Sequence, residues 1–352
     1  MSNSKIIKVH EEHRAEANVC ALIVTYGNRH HLLSRVINAC LRNGVKKIIV
    51  VDNASEKESK ERLKELSSEL KNKLKVIELK ENLGSAGGYK KGLEYIYNCP
   101  ECEFVWLLDD DNLPREGALE ALIQFYRNLN VPHKEYRVAL LSFRVDRDYY
   151  KEAVIKNNSD PIIGRKNSFL RFHILEIHKI LLKLLKKIID PKASNNNVLK
   201  KKYKSIILAA SCYGGLFFNK KLINEIGYPN EEFFAYFDDH EWTYRLTRKG
   251  GCIFLVVDSI IEDLEKSWAL KHSFPLKALS LAPDFRIYYG VRNRVYFEKM
   301  YLVNNPFLYR LNTVIFLIIA RLFLSKHKYM LLRRAINDGL SGKLGMIKDS
   351  EF

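Results

Sequence analysis

Apolar residues fall along this chain in short unbroken runs, separated by longer stretches with apolar positions on one face only. The runs at 19–26, 46–51, 74–79 and 104–108 lack helical spacing and read as buried strands. Between them, Leu32, Leu33, Val36, Ile37 and Cys40 recur at helical spacing over 31–43. A charged helix is predicted over 57–71, and a third helix runs to about Tyr97. Further strands are predicted at 138–145, at 206–210 and, as a pair or one bent strand, at 253–257 and 259–261. A helix is expected from about Arg115, and a short one closed by Gly227. Strand alternating with helix specifies a parallel α/β sheet.

In such sheets, ligands sit off the carboxyl ends of the strands. The polar punctuation falls there: Thr25-Tyr26, Asp52-Asn53, the loop Asn82-Leu83-Gly84-Ser85-Ala86-Gly87-Gly88, and Asp109-Asp110-Asp111. Side chains alternate along an extended segment, so Asp109 and Asp111 point to one side and Asp110 to the other, a geometry suited to gripping one hard divalent ion. The same triplet also suits a solvated strand-to-helix turn. Gly84, Gly87 and Gly88 let backbone approach a ligand, although the loop is neither GxGxxG nor a P-loop. A second acidic landmark, Phe237-Asp238-Asp239-His240-Glu241-Trp242, opens another helix. Asp238 and Asp239 there can stabilise the helix start or accept a proton.

Charge changes the picture. The chain of 352 residues carries 58 Lys/Arg against 41 Asp/Glu, a net +17, which implies an acidic partner. Residues 168–204 hold ten Lys/Arg against two acids, with Leu170, Ile174, Ile177, Leu181, Leu184, Leu185 and Ile188 at helical spacing. Such a basic amphipathic insertion, within about 150–204, suits an anionic membrane surface or a core-packing helix with a solvated basic face. The six cysteines show no framework spacing, and Cys99-Pro100-Glu101-Cys102 is a lone CxxC. Reduced thiols in a cytosolic setting are therefore expected. Residues 1–17 read as a flexible polar start without a signal peptide. The apolar segment 314–324 is too short to span a bilayer, and a helical region over 301–352 that packs or dips into the interface is expected.

Taken in order, Asp52, the 82–88 loop, the Asp triplet and the 237–242 segment make the chain, over about 19–300, resemble the family 2 glycosyltransferases. The likeness is to the rhamnosyl- and galactofuranosyltransferase branch that builds bacterial cell-surface glycans. That resemblance implies a GT-A fold over 18–300, a nucleotide-diphosphate sugar donor (UDP- or dTDP-sugar), Mn²⁺ or Mg²⁺, and inversion at the anomeric carbon. It implies that Thr25, Tyr26 and Asp52 hold the nucleoside and that Asn82, Gly84, Gly87 and Gly88 cradle the donor. It further implies that Asp109 and Asp111 bind the metal, with Asp110 orienting the site or touching ribose, and that Asp239 is the base with Asp238 beside it. For the third metal ligand, Asp263 is favoured and His272 is its rival. The acceptor is expected to be lipid-linked, and the protein to sit on the cytoplasmic face of the cell membrane. A sugar-phosphate nucleotidyltransferase is disfavoured because Thr25-Tyr26-Gly27-Asn28-Arg29 does not match its loop. A basic scaffold gives no reason for the ordered acids, and no nucleic-acid-binding signature is present.

Overall fold

Buried apolar runs can sit only where both faces of a sheet are covered, and they become the central strands here. The computed structural model describes residues 17–176, 204–265 and 275–347. Strands β1 (Val19–Thr25), β2 (Lys47–Asp52), β3 (Leu74–Glu78) and β4 (Phe104–Asp109) lie in the order β3-β2-β1-β4, all parallel. Helices α1 (His30–Arg42), α2 (Lys57–Leu70) and α3 (Gly84–Tyr97) connect them. The register sets Thr25 against Asp52, and Val24 against Asp109, so these polar residues share one edge of the sheet.

Past β4 the sheet becomes mixed. β5 (Asn112–Pro114), β6 (Val138–Arg144), β7 (Ser205–Leu208), β8 (Leu216–Asn219) and β9 (Cys252–Asp263) complete nine strands. β8 enters antiparallel between β4 and β6, while β6 and β9 are parallel. The bent strand expected near 253–261 is one strand, β9, with an irregularity opposite Ser142/Phe143. The helix expected from Arg115 starts instead at Ala118, because Asn112–Pro114 pairs with the end of β9. That pairing sets Asn112 opposite Asp263 and delivers a further carboxylate to the Asp triplet.

Two apolar layers cover the sheet, one under α3 and one under α1 and α2. α3 lies close to β1 because Gly88 has no side chain: a Cβ there would stand 2.7 Å from Val24. A third core joins Phe169 to the C-terminal helices Asp284–Phe297, Pro306–Phe323 and Lys326–Ser341. Phe169 stacks edge-on against Tyr309 and Phe316, so the start of the basic insertion packs onto these helices. The rest of that insertion, 177–203, lies outside the described residues, as do residues 1–16 and His272. The apolar stretch 314–324 lies almost wholly in a longer helix, Pro306–Phe323, whose 18 residues are by length and composition alone enough to cross a bilayer.

The cysteine expectation is also corrected: Cys20 on β1 and Cys102 at the entry to β4 form a disulfide. They are 82 residues apart in sequence, but β1 and β4 are neighbours, and this brings the two Cα atoms within 5.5 Å.

Gly84 has φ +70°, and a Cβ there would stand 1.9 Å from the Phe234 carbonyl oxygen. Gly84→Ala should therefore cost about 2–4 kcal/mol of unfolding free energy. At Gly44, where φ is +81° and the space is open, alanine should cost only about 1–2 kcal/mol. Urea unfolding of the two variants checks the difference.

Candidate active site

The four strand ends and the start of the Asp238–Arg248 helix enclose a cavity of about 430 Å³. Tyr26, Arg29, Asn53, Asn82, Gly84, Ser85, Tyr89, all three carboxylates of the Asp triplet, Asp238 and Asp239 line it, with Phe234, Tyr236, Phe285 and Arg286 on the far wall.

The Asp triplet is divided by its partners. Asp110 is buried, accepting from Thr25 Oγ1 at 2.8 Å and from Arg29 Nε at 2.9 Å on both oxygens. Thr25 does not line the cavity and serves to hold Asp110. Asp109 Oδ1 accepts from the Tyr89 hydroxyl at 2.8 Å, while its Oδ2 lies 3.7 Å from Arg144. Asp111 Oδ1 accepts from Asn112 Nδ2 at 3.2 Å, and its Oδ2 lies 3.7 Å from Arg29. Among the described residues, Asp109 and Asp111 each therefore keep one oxygen outside any hydrogen bond. Burial, then Asp109, Asp263 and Asp110, push the Asp111 carboxyl up to about 7. Burial also raises Asp109, with Arg144 opposing. Two hard oxygens under mutual repulsion fit a divalent cation, which would offset the charge that now raises both groups.

Asp263 is placed differently from the expectation. Its side chain is fully buried and ion-paired to Arg144 and Arg147, and it accepts from Asn112 Nδ2 at 3.0 Å. It stands beside the triplet but is already neutralised by two guanidinium groups. No group of three or more metal-ligating residues occurs among the described residues.

The glycine-bearing loop is ordered by a residue the sequence reading passed over. Asn53 Nδ2 donates to Asn82 Oδ1 (3.0 Å) and to the Gly84 carbonyl (2.9 Å), and Asn53 Oδ1 accepts from Leu83 N (2.8 Å). Asn82 Oδ1 then accepts from Gly84 N at 2.8 Å. Asn82 and Gly84 reach the cavity, whereas Gly87 and Gly88 lie buried in the first turn of α3, away from its wall. Asp52 also lies off the wall. Its Oδ1 caps Ser55 N at 2.8 Å, and its buried Oδ2 has no partner among the described residues. Tyr26 is half exposed, with the Arg29 guanidinium 5.4 Å from its ring centre.

The opposite wall carries Asp238 and Asp239 at a helix N-terminus, where the helix dipole favours negative charge. Asp239 Oδ1 accepts from His240 N at 2.6 Å and lies 2.7 Å from His240 Nδ1, leaving Oδ2 without a hydrogen bond among the described residues. Asp238 is buried, accepting from Ser85 Oγ at 2.9 Å. Burial, then Asp239, push it up to about 8, so it is protonated at neutral pH.

The turn that aims these acids is strained: Phe234, Tyr236 and Phe237 have φ of 63°, 67° and 64°. It is held by Asn293, whose Nδ2 donates to the carbonyls of Phe233 (2.9 Å), Ala235 (2.7 Å) and Tyr236 (2.8 Å). Arg292, fully buried over the Tyr289 ring, donates to Asn293 Oδ1 (2.9 Å) and to the Phe233 carbonyl (3.2 Å). Arg292 and Asn293 are thus the support of the acidic turn.

Comparison with known proteins bears on the fold that carries this cavity. Residues 20–173 match the family described as Glycosyl transferase family 2. Among curated proteins, none matches the sequence. Solved glycosyltransferases share the GT-A fold over nearly the whole chain. The mannosyltransferase PcManGT from Pyrobaculum calidifontis, in complex with GDP-Man and Mn2+, aligns at a TM-score of 0.50 and 15% identity, covering 92% of this chain and 74% of that one. GalNAc-T7 with UDP, GalNAc and Mn2+ aligns at 0.50 and 14%, covering 93% of this chain but only 58% of that one. The match to glycosyltransferase family 2 takes in β1 to β6 and the Asp triplet, while the Asp238–Asp239 helix lies beyond it.

Asp238 supplies a pH test. Its carboxyl rises from 3.8 to about 8 on folding, so the folded state holds the extra proton in that window. The contribution is complete below 3.8 and is lost as pH rises through about 8. Asp238→Asn mimics the protonated acid and should flatten this decline; thermal midpoints of both proteins across the window check it.

Proposed function

We propose that this chain is an inverting, metal-dependent glycosyltransferase that moves a sugar from a nucleotide-diphosphate donor to a hydroxyl of a glycan acceptor. The observation that carries the proposal is the shared cavity. It faces the Asp109/Asp111 pair, from the end of β4, towards Asp239, a carboxylate at a helix N-terminus whose Oδ2 has no hydrogen bond among the described residues. The family match and the Mn2+-bound neighbours support a nucleotide-sugar donor and a divalent cation.

When bound, the cation offsets charge developing on the departing nucleoside diphosphate. Asp109 and Asp111 would hold it, while Asp263 stays with its arginines. Tyr26 offers an exposed ring to the nucleobase, and Asp52 Oδ2, beside Asn53, has no hydrogen-bond partner among the described residues. Asn82 and the Gly84 backbone line the donor side. Asp239 takes the proton of the acceptor hydroxyl as its oxygen bonds to the anomeric carbon and the carbon–oxygen bond to the nucleoside diphosphate breaks. His240, against Asp239 Oδ1, fixes which carboxylate oxygen faces the acceptor. Asp238, buried and protonated, orients the turn and leaves proton transfer to its neighbour.

Within this reading, the order of motifs favours rhamnose or galactofuranose from a UDP- or dTDP-linked donor. The basic insertion within about 150–204 supports a lipid-linked acceptor in cell-surface polysaccharide synthesis, with the protein at the cytoplasmic face of the membrane.

Asp239→Asn is expected to lower turnover by at least about a thousandfold with donor affinity retained. Donor binding by calorimetry beside a transfer assay checks this, and substantial residual turnover would remove Asp239 from the role of base. Asp109→Asn with Asp111→Asn should abolish Mn²⁺ binding in a direct titration of the metal. Retained Mn²⁺ affinity would place the cation elsewhere.

A further inference from the structure

The helix Pro306–Phe323 has two opposite faces at 100° per residue. Tyr309, Asn312, Thr313, Phe316 and Ala320 are buried against the third core. Phe307, Leu311, Val314, Ile318 and Leu322 form the other face, and Phe307, Ile318 and Leu322 are 78%, 63% and 80% exposed. An unbroken exposed stripe of this kind on a packed helix is a binding surface in search of an occupant.

Charge selects the occupant. From 299 to 337 the chain has seven Lys/Arg and no Asp or Glu. Arg310 and Arg321 are exposed and lie at the edge of the apolar stripe by helical spacing, with Lys326 and Arg333 exposed on the stretch that follows. A second copy of this chain meeting the stripe face to face would bring like charges together, because a two-fold contact pairs the same patch with itself. An anionic lipid surface supplies both an apolar layer for the stripe and negative headgroups for its rim.

Packing also sets the orientation. The inner face is tied to the domain through Asn312, whose Nδ2 donates to the Asn167 carbonyl at 2.8 Å and whose Oδ1 accepts from Ile174 N at 2.9 Å. Crossing a bilayer would strip these groups of their partners, and only the outer half of the helix is available to lipid. We propose that Pro306–Phe323 is an interfacial helix that lies in the plane of an anionic membrane and docks the protein by the stripe Phe307, Leu311, Val314, Ile318 and Leu322. This places the protein on a membrane surface by a built-in element, independently of any reading of the sugar-transfer cavity.

The test is co-sedimentation of the full chain with phosphatidylcholine vesicles containing or lacking phosphatidylglycerol. The wild type should bind the anionic vesicles and weaken as salt rises. The pair Ile318→Glu with Leu322→Glu should lower the apparent affinity at least about tenfold. A milder pair, Phe307→Ser with Val314→Ser, should fall in the same direction, and unchanged thermal midpoints establish that the fold is kept. Undiminished binding by both pairs would overturn the proposal, as would a wild type that ignores anionic vesicles. A wild-type dimer in light scattering that either pair converts to monomer would overturn it in favour of self-association.

Discussion

Everything in this molecule has to accommodate the repulsion among carboxylates gathered at one end of the sheet. Asp109, Asp110, Asp111, Asp238 and Asp239 share one cavity, and Asp263 stands against its floor. The fold deals with each differently. Asp110 is clamped by Arg29 and Thr25, Asp263 by Arg144 and Arg147, and Asp238 keeps its proton. What remains is Asp109 with Asp111 on one wall and Asp239 on the other. Among the described residues, each of these three keeps an oxygen outside any hydrogen bond.

That separation depends on backbone the chain would not adopt unaided. Three aromatic residues in the left-handed region between Phe234 and Phe237 turn the chain so that Asp238 and Asp239 start a helix facing the triplet. Each such residue costs about 1–3 kcal/mol, and the turn persists because a side chain 60 residues away over-determines it. Asn293 donates to the carbonyls of Phe233, Ala235 and Tyr236 and Arg292 orders Asn293, so the C-terminal core supports the turn from behind as well as lending Phe285 and Arg286 to the cavity wall. Gly84 completes the arrangement from the other side, since its missing Cβ is the space occupied by the Phe234 carbonyl.

The sequence was legible where local pattern decides the outcome. Apolar runs became β1 to β4 at nearly the expected bounds, and the polar residues at their ends do lie together, because parallel strands in register carry their ends to one edge. Legibility failed where the deciding contact joins distant segments. Nothing near Cys20 signals Cys102, and nothing near Asp263 signals that Arg144 and Arg147 reach it first. Asn112–Pro114 looked like the lead into a helix because the strand it pairs with lies some 150 residues on. The glycines misled for a related reason. Gly84 reaches the ligand side, but Gly88 is small because α3 must approach β1, and loop composition does not distinguish those two needs.

The fate of Asp263 bears on what the cavity can hold. A buried carboxylate paired with two guanidinium groups loses that stabilisation if it turns to a metal, and the arginines would then be left without their partner in a dry site. The same pairing acts on the Asp109/Asp111 pair from a distance. Arg144 also stands 3.7 Å from Asp109 Oδ2, close enough to lower its repulsion with Asp111 yet outside hydrogen-bonding range. Arg144 is held there by Asp263, as a tether fixes a counter-charge. On these contacts Asp263 is an anchor for Arg144 beside Asp109, and its two guanidinium partners already hold the charge that a cation would otherwise meet.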